Sequence, residues 1–398
     1  MSRRIPALDV LRGVAIAGIL FANVLVFFGV FALPAERAAA LPTAGADRIA
    51  GFLERVLVEG KFYSIFSFLF GIGFGIQLGR SGDHALPRFR RRLRILLGIG
   101  AIHAVLIWAG DILMLYALLG FTLPWFARQS DRALLRATVI LLAIPTLLYT
   151  IGLVVWTVLG GPSGSPEPEV PATIRAVFEA VGTGGLAEAF LGNLLLLAGR
   201  WADLFVTMRF PKVLGMFVLG LWAVRTGLAL DPEGRRETLR RWCLIGLGIG
   251  LPANLLAVRF FESWPYLPPS PGALLAVGLQ SIGIPLLAIG YAALIGILVT
   301  GGSRLTPLFA PVGRMALTNY LMHSIGCVVL SYGFGFGLWW RIGAAPAMAI
   351  AAAIVAVQIP LSAWWLARFR FGPVEWIWRR LTYGQPLLLR HGQGPEPR

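Results

Sequence analysis

A few polar and titratable side chains interrupt the long apolar runs of this chain, and His103 is the first that could transfer protons. It lies nine residues after Arg94 and eight before Asp111, which on a helix is about 12–14 Å from either end of its run. Imidazole has an unperturbed pKa near neutrality, so His103 is a candidate general base. A neutral histidine can equally be a hydrogen-bonding strut between helices. The sequence leaves both alternatives open.

Asp111 and Asn23 are the other two candidate catalytic residues. Asp111 follows Gly110 and opens a helix, where it could cap the helix, orient a histidine or bind an acceptor hydroxyl. Asn23 lies near mid-depth of the first apolar run, where an unpartnered amide is costly. We interpret Asn23 as functional rather than as a hydrogen-bonding link between two helices.

The first run, LDVLRGVAIAGILFANVLVFF, also carries Asp9 and Arg12 near its start. At about 100° per residue, Arg12 and Asn23 fall roughly 20° apart, so these side chains form one polar stripe. Asp9 and Arg12 could anchor the helix at the head groups, or take part in binding. The sequence alone does not decide between these two roles.

A second polar stretch, GRMALTNYLMHS, places Asn319 and His323 on one helical face with Arg314 before them. We predict substrate contacts from Asn319, His323 and Lys61, although Lys61 is more typical of a snorkelling anchor or an ion pair. His323, His103 and Asn23 could together form a central polar layer. No metal-ligand cluster, phosphate-binding loop or Ser–His–Asp arrangement is recognisable, so the sequence predicts no metal site.

The composition predicts a membrane protein. Of the 398 residues, 57% are hydrophobic and 14% are charged, and the apolar runs repeat along the whole length. The net charge of +16 comes from arginine clusters between the runs, which is the positive-inside pattern and argues against nucleic acid as a partner. Cys243 and Cys327 lie within apolar runs, which predicts neither a disulfide nor a zinc site.

We therefore predict an all-α polytopic fold with a single domain, residues 1–398, about ten transmembrane helices and both termini in the cytoplasm. The outer loops are expected at about 34–55, 160–185 and 262–272. The run from Leu186 to Met208 is apolar enough to span but contains Asn193, Arg200 and Asp203. We interpret it as one interfacial or re-entrant helix, because a crossing there would place the next arginine cluster outside. Ser67, Gly71, Gly75 and Gly79 predict close helix contact. The predicted spans are about 10–33, 60–79, 93–109, 112–126, 134–159, 212–230, 242–261, 273–299, 308–333 and 346–367.

The chain resembles the YeiB-like family of bacterial membrane proteins over nearly its entire length. That family is similar to the transmembrane acyltransferase superfamily, which includes heparan-α-glucosaminide N-acetyltransferase. Members of that superfamily are thought to move an acyl group from cytoplasmic acyl-coenzyme A to a sugar or other acceptor at the outer face. The stretches that carry the resemblance are LDVLRGVAIAGILFANV, GKFYSIFSFLFGIGFG, HAVLIWAGDILMLYALLGF, PKVLGMFVLG, GRMALTNYLMHS and FGPVEWIWRRLTYG.

The D-x-x-R-G…N pattern of the acetyltransferase's first span matches Asp9, Arg12, Gly13 and Asn23 here. The resemblance implies acyl-coenzyme A (acetyl-coenzyme A) as co-substrate. We predict that Asp9, Arg12 and Arg314 form the cofactor-binding end, with the two arginines at the phosphates, and that the Asn23 amide is the oxyanion donor. In that enzyme the asparagine works with a histidine just after the first span. This chain has no histidine between residues 34 and 55, so His103 with Asp111 is the substitute.

Three classes of function stay open: an acyltransferase, a transporter or flippase of a small solute or lipid-linked glycan, and a non-catalytic scaffold. The absence of a visible internal repeat favours the enzyme over an inverted-repeat transporter. We expect the protein in the bacterial plasma (inner) membrane. The expected partners are membrane lipids and a small-molecule or glycan acceptor, with a homodimer as an open alternative.

Overall fold

The computed structural model describes residues 5–80, 85–161, 172–260, 269–384 and 387–390, and these are almost entirely α-helical. The described residues contain no β-strand beyond an isolated bridge between Phe369 and Arg390. The prediction of an all-α polytopic fold is confirmed.

Eighteen α-helices lie in these segments, with a short 3-10 turn at Val30–Ala32 and a π-helical turn at Gly246–Gly250. They are α1 (Pro6–Phe27), α2 (Ala35–Ala40), α3 (Ala44–Leu57), α4 (Lys61–Arg80), α5 (Ala85–Leu106), α6 (Leu113–Gly120), α7 (Leu123–Phe126), α8 (Asp131–Val158), α9 (Ala172–Thr183), α10 (Leu186–Val206), α11 (Arg209–Arg225), α12 (Arg236–Ile245), α13 (Leu251–Arg259), α14 (Pro271–Thr300), α15 (Leu305–Arg314), α16 (Ala316–Ser331), α17 (Ala344–Arg368) and α18 (Pro373–Tyr383).

Seven helical stretches among the described residues are long and apolar enough to cross a membrane. The predicted count of about ten continuous spans therefore differs from the structure. The spans expected at 112–126, 212–230 and 308–333 correspond to helices of 17 residues or fewer, and arginines in the first half of α5 lower its hydropathy. The seven stretches are Pro6–Ala32, Ala44–Gly79, Asp131–Val158, Leu186–Val206, Arg236–Arg259, Pro271–Thr300 and Ala344–Arg368.

Two of the predicted outer loops contain helices. Residues 34–55 form α2 and most of α3, which joins α4 at a bend where Gly60 has a φ of +83°. That conformation favours glycine because it lacks a β-carbon. The second loop contains α9, and most of the third lies outside the described residues. Leu186–Val206 is also long enough to cross, so its length does not support the interfacial interpretation.

Close helix contacts build the interior. Gly71 of α4 lies against the Phe217 backbone of α11, and Gly75 lies against Val224. The predicted small-residue face is therefore confirmed at these two positions. Gly13 of α1 similarly meets the backbone of Gly313 in α15. Backbones that approach this closely leave no space for a side chain, so these glycines fix the helix positions around the site.

Candidate active site

His103, near the C-terminal end of α5, is hydrogen-bonded at both ring nitrogens. Its Nδ1 lies 2.9 Å from Oδ2 of Asp111, and its Nε2 lies 2.8 Å from Oγ of Ser324 in α16. His103 is 1% exposed, Asp111 5% and Ser324 0%. The three side chains form a buried Ser–His–Asp chain, called the triad below.

Ser324 is the functional candidate that the sequence did not reveal, and the prediction that no Ser–His–Asp arrangement exists is wrong. Its hydroxyl lies 221 positions along the chain from His103, so no local motif joins the two residues. A triad is defined by geometry and not by spacing, which is why the pattern was missed. Its only sequence signal is a serine directly after His323 in a polar helical stretch.

Asp111 makes the contacts expected for two of the three roles that the sequence left open. Its Oδ1 accepts the backbone N–H of Met114 at 2.8 Å, which caps the start of α6, while Oδ2 faces His103. An ionised carboxylate accepts hydrogen bonds only, so His103 donates from Nδ1 and its Nε2 carries the lone pair. That tautomer lets Nε2 accept the proton of Ser324.

The turn that follows His103 is fixed by a side chain from α10. Asn193 donates to the carbonyls of Ala104 and Val105 and accepts the N–H of Ala109 at 2.6 Å. Asn193 is 4% exposed. These bonds satisfy backbone groups that the end of α5 leaves unpaired. Asn193 is thus a positioning residue, and the sequence marked it only as an unusual polar residue in an apolar run.

The triad lies at mid-depth of the helical bundle. Ser324 is seven residues from Leu317, whose N–H is bonded to Glu375 of α18, and seven from Ser331, whose hydroxyl is bonded to the Phe27 carbonyl at the end of α1. On a helix that is about 10 Å from either point. The prediction that a continuous helix holds His103 about 12–14 Å from Asp111 is wrong, because α5 ends at Leu106 and the chain turns back, which brings the Asp111 carboxylate to 2.9 Å from His103.

Tyr320, one turn before Ser324, packs its ring 5.1 Å from the His103 ring, centroid to centroid. Its hydroxyl lies beside the backbone of Ile112 but makes no hydrogen bond of normal geometry. A buried hydroxyl without a partner is costly unless a ligand satisfies it. Tyr320 is therefore a further candidate for substrate contact.

Asn23 lies on the face of α1 that is turned toward this region. Ile19, one turn before it, shares a core cluster with Tyr320, and Phe27, one turn after it, stacks on Trp108 at 4.0 Å. The Asn23 side chain is half-buried, and no hydrogen bond to it occurs within the described residues. Asn23 thus lies on a helix that packs against α16, and no contact joins its side chain to His103.

His323 and Asn319 belong to a separate polar contact between α16 and α17. His323 Nε2 lies 2.6 Å from Oε1 of Gln358, and Asn319 donates to the Val312 carbonyl and to Ser362. The structure joins His103 to Ser324 of α16 and not to the neighbouring His323, so His103 and His323 belong to different hydrogen-bonded groups. Both His323 and Asn319 are buried, and Nδ1 of His323 has no hydrogen-bond partner among the described residues. Their role as substrate ligands stays a prediction.

Lys61 is buried and is therefore not a snorkelling anchor, whereas its role as a substrate ligand stays a prediction. It is 1% exposed, and its Nζ donates to the Arg55 carbonyl at 2.7 Å across the α3–α4 bend. Glu54 and Glu59 lie within electrostatic range. The bend folds these charges inward, which a reading of residues 34–55 as a loop could not predict.

The predicted cofactor residues converge at the start of α1. Arg12 pairs with Asp9 at 3.2 Å, and Gly313, adjacent to Arg314, packs on the Asp9 backbone. Arg92 of α5 is within electrostatic range of Arg12 and Arg379, and its guanidinium stacks 4.2 Å from the Trp378 ring. We call this cluster, Asp9 with Arg12, Arg92, Arg314 and Arg379, the basic end.

Known proteins align with nearly the whole chain. It is 33% identical to YxaH of Bacillus subtilis (strain 168) over 96% of this chain and 95% of the relative. It is 32% identical to YeiB of Escherichia coli (strain K12) over 94% of this chain and 95% of that protein. The chain belongs to the YeiB-like family. The predicted resemblance to that family is thus confirmed. The names of both relatives call them uncharacterized.

A family model described as a protein of unknown function (DUF418) matches residues 223–385. In this member of the YeiB-like family the matched part contains Tyr320 and Ser324 in α16, together with the α18 residue Glu375 that caps α16. His103 and Asp111 lie before it. The triad is therefore assembled from both halves of the chain.

Proposed function

We propose that the protein is a membrane-embedded acyltransferase that moves an acyl group, acetyl in the simplest case, from cytoplasmic acyl-coenzyme A to a sugar or other small acceptor at the outer face. The observation that carries this proposal is the buried hydrogen-bonded chain from Ser324 through His103 to Asp111. Such a chain activates a hydroxyl for attack on an acyl carbon.

The triad supports transfer in two half-reactions. His103 Nε2 takes the proton of Ser324 while Oγ of Ser324 attacks the thioester carbon. The C–S bond breaks, and the coenzyme A thiolate leaves with the proton from His103. The acceptor hydroxyl or amine then gives its proton to His103 and attacks the seryl ester, and Ser324 regains its proton as it leaves. Asp111 stabilises the imidazolium in both steps.

Two uncharged donors suit the oxyanion that forms in each half-reaction. The Asn23 amide and the Tyr320 hydroxyl both lie near the triad and have no hydrogen bond of normal geometry within the described residues. Donors that are already oriented stabilise a developing oxyanion more effectively than water does. The oxyanion role of Asn23 is part of the proposal.

The basic end supports the choice of acyl-coenzyme A as donor. Arg12 and Arg92 lie in one cluster there, and guanidinium groups bind phosphate oxygens through paired hydrogen bonds. Arg12 and Asn23 are eleven residues apart, which is about 16 Å along α1. The pantetheine arm would have to pass between the helices over this depth. Because acyl-coenzyme A is cytoplasmic, we propose that the basic end faces the cytoplasm and that the protein resides in the plasma membrane.

The test is acetyl-coenzyme A turnover by purified protein in neutral detergent, with intact-mass analysis for an acetyl adduct. We expect wild type to form an adduct at Ser324 and release coenzyme A, whereas Ser324→Ala forms no adduct. His103→Ala should lose turnover by about 10³-fold or more, since it removes the base of the triad. His323→Gln is the matched control, because His323 is equally buried on α16 but lies outside the triad.

Full turnover by His103→Ala would remove the triad from the mechanism. No turnover and no thermal stabilisation of wild type by millimolar acetyl-coenzyme A would favour the transporter, because a ligand that binds only the folded state must raise the midpoint.

A further inference from the structure

A second polar cluster lies beside the triad, at the junction where α10 ends and α11 begins. It consists of Arg200, Asp203, Arg209 and Lys212, and we call it the junction cluster. Met208 separates the two helices with a φ of 50°, which is uncommon for a residue with a side chain. The sequence identified Arg200 and Asp203 only as unusual within an apolar run.

The junction cluster is enclosed by protein. Arg200 Nη1 pairs with Asp203 Oδ2 at 2.7 Å, and the two side chains retain 20% and 24% exposure. The Arg209 guanidinium lies 5.1 Å from the ring centre of Tyr63 in α4. Arg209 and Lys212 are also half-buried, although protein atoms surround Lys212 densely. The partial exposure of these side chains means that a ligand can reach the junction cluster.

Positive charge is in excess there. Asp203 pairs with Arg200, but neither Arg209 nor Lys212 has a carboxylate within ion-pair distance in the part of the chain that is described. The Nε of Arg200 is buried without a partner. The first N–H groups of α11 add further positive potential at the same place. Unpaired cations at membrane depth are costly, so a binding partner of opposite charge is expected.

The junction cluster adjoins the triad. Arg200 is within electrostatic range of both Asp111 and Tyr320, and the Tyr320 ring lies 5.1 Å from His103. An anion bound at the junction cluster would therefore lie on the Asp111 and Tyr320 side of the triad.

We propose that Arg200, Arg209 and Lys212 bind an anionic group, a phosphate or a carboxylate, of the acceptor. Naming the ligand as the acceptor rests on the proposed function, whereas anion binding itself does not. The acceptor class is thereby narrowed from any small hydroxyl or amine compound to a negatively charged one, such as a sugar phosphate or a sugar acid.

The test measures thermal unfolding of the full chain in neutral detergent, without acyl-coenzyme A, during titration with glucose 1-phosphate, glucuronate or glucose. At least one anionic sugar should raise the midpoint of wild type, and glucose should not. Lys212→Met and Arg209→Gln should each weaken the apparent binding about tenfold or more, as expected for loss of a charge-assisted hydrogen bond. Lys212→Arg should retain binding.

Arg225→Gln is the matched control. Arg225 is also a cation of α11, but it pairs with Asp131 at 2.9 Å and lies away from the junction cluster. The unfolding midpoint of each variant without ligand shows whether that variant has folded. If a charge-removing variant has not folded, anion binding is compared between Lys212→Arg and wild type instead.

Three results would overturn the proposal: no shift with either anionic sugar at millimolar concentration, a shift that survives both Lys212→Met and Arg209→Gln, or a shift produced only by added phosphatidylglycerol. The last would assign the cluster to a lipid headgroup. If the protein acylates neutral acceptors and binds no anion, the acyltransferase proposal holds and the anion-binding proposal is wrong. Anion binding with no acyl turnover would support the site and overturn the acyltransferase.

Discussion

His103 is locked between an acceptor and a donor, and the two contacts have different consequences. Asp111 fixes the tautomer and the ring plane, while Ser324 supplies the proton that Nε2 can take. All three groups are buried, so water does not compete for these hydrogen bonds and their geometry is retained between turnovers. Under the proposed function, the carboxylate contributes through orientation and charge and not by taking a proton itself.

Replacing Asp111 by Asn should keep the fold and lose most of the activity. If the amide oxygen of the new Asn side chain keeps accepting the Met114 N–H, its NH₂ group faces Nδ1 of His103. An NH₂ group can only donate, so His103 must then accept at Nδ1 and adopt the other tautomer. We expect kcat for acetyl-coenzyme A turnover to fall about 10³- to 10⁴-fold, as when the carboxylate of a triad becomes an amide.

Asp47→Asn is the control for that variant, because Asp47 also accepts a backbone N–H, from Ala345 at 2.8 Å, but lies outside the triad. An Asp111→Asn enzyme with kcat close to that of Asp47→Asn would show that the carboxylate has only the capping role.

The individual residues of the site were unequally predictable. His103 and Asp111 were paired through the family resemblance and the lack of a histidine after the first span, whereas their eight-residue spacing suggested that a helix keeps them apart. Ser324 and Asn193 come from other helices, and neither hydropathy nor spacing carries information on which helices are neighbours. Lys61 was misplaced for the same reason, since its burial depends on the bend at Gly60 and on the helices around it.

At the scale of the elements, helix existence was predictable and helix continuity was not. Apolar runs located nearly every long helix, yet α6, α11 and α16 have 8, 17 and 16 residues. Short helices expose more backbone ends within the bundle, and the site is built from those ends. The turn after α5, the start of α6 and the junction of α10 with α11 all supply polar groups there.

The contact between α4 and α11 allows a direct test of close packing. A β-carbon at Gly71 would overlap the Phe217 backbone, whereas one at Gly73, half a turn away, would meet nothing within 4 Å. We expect Gly71→Ala to destabilise the protein by about 1–3 kcal/mol through overpacking. Gly73→Ala should change stability by less than about 1 kcal/mol, since alanine favours the helix.

Thermal unfolding in one detergent, with both variants and wild type side by side, measures the difference. Equal midpoints for the two variants would mean that α4 and α11 do not approach as closely as described. Because the junction cluster begins at the first turn of α11, Gly71→Ala should also weaken anion binding, whereas Gly73→Ala should not.

At the scale of the whole molecule, the polar groups occur at separate depths of an apolar bundle. The basic end lies at the start of α1, the triad lies midway along α16, and the junction cluster lies beside the triad. Arginines are frequent at the basic end, where the sequence predicted a cytoplasmic surface. This order suits a reaction in which a charged donor binds on one side and an acceptor is modified further in.

The whole-molecule prediction is that donor binding and chemistry are separable by variants at the two depths. Arg12→Gln removes a guanidinium from the basic end, about 16 Å along α1 from Asn23, so it should not disturb the triad. We expect the KM for acetyl-coenzyme A to rise about 10- to 100-fold, equivalent to about 1.5–3 kcal/mol for a hydrogen bond to a charged group. The kcat should stay nearly constant, because uniform binding contributes to KM and not to kcat.

Arg241→Gln is the control for that variant, since Arg241 is exposed, pairs with Glu237 at 3.3 Å, and lies in another arginine cluster predicted to be cytoplasmic. An assay in proteoliposomes shows from which side of the membrane the donor enters, because acetyl-coenzyme A does not cross a bilayer. With the donor outside, only molecules whose basic end faces outward should react, and a protease that cleaves an affinity tag at the N-terminus should identify them. A kcat loss in Arg12→Gln without a KM change, or turnover by molecules whose tag is protected, would contradict donor entry at the basic end.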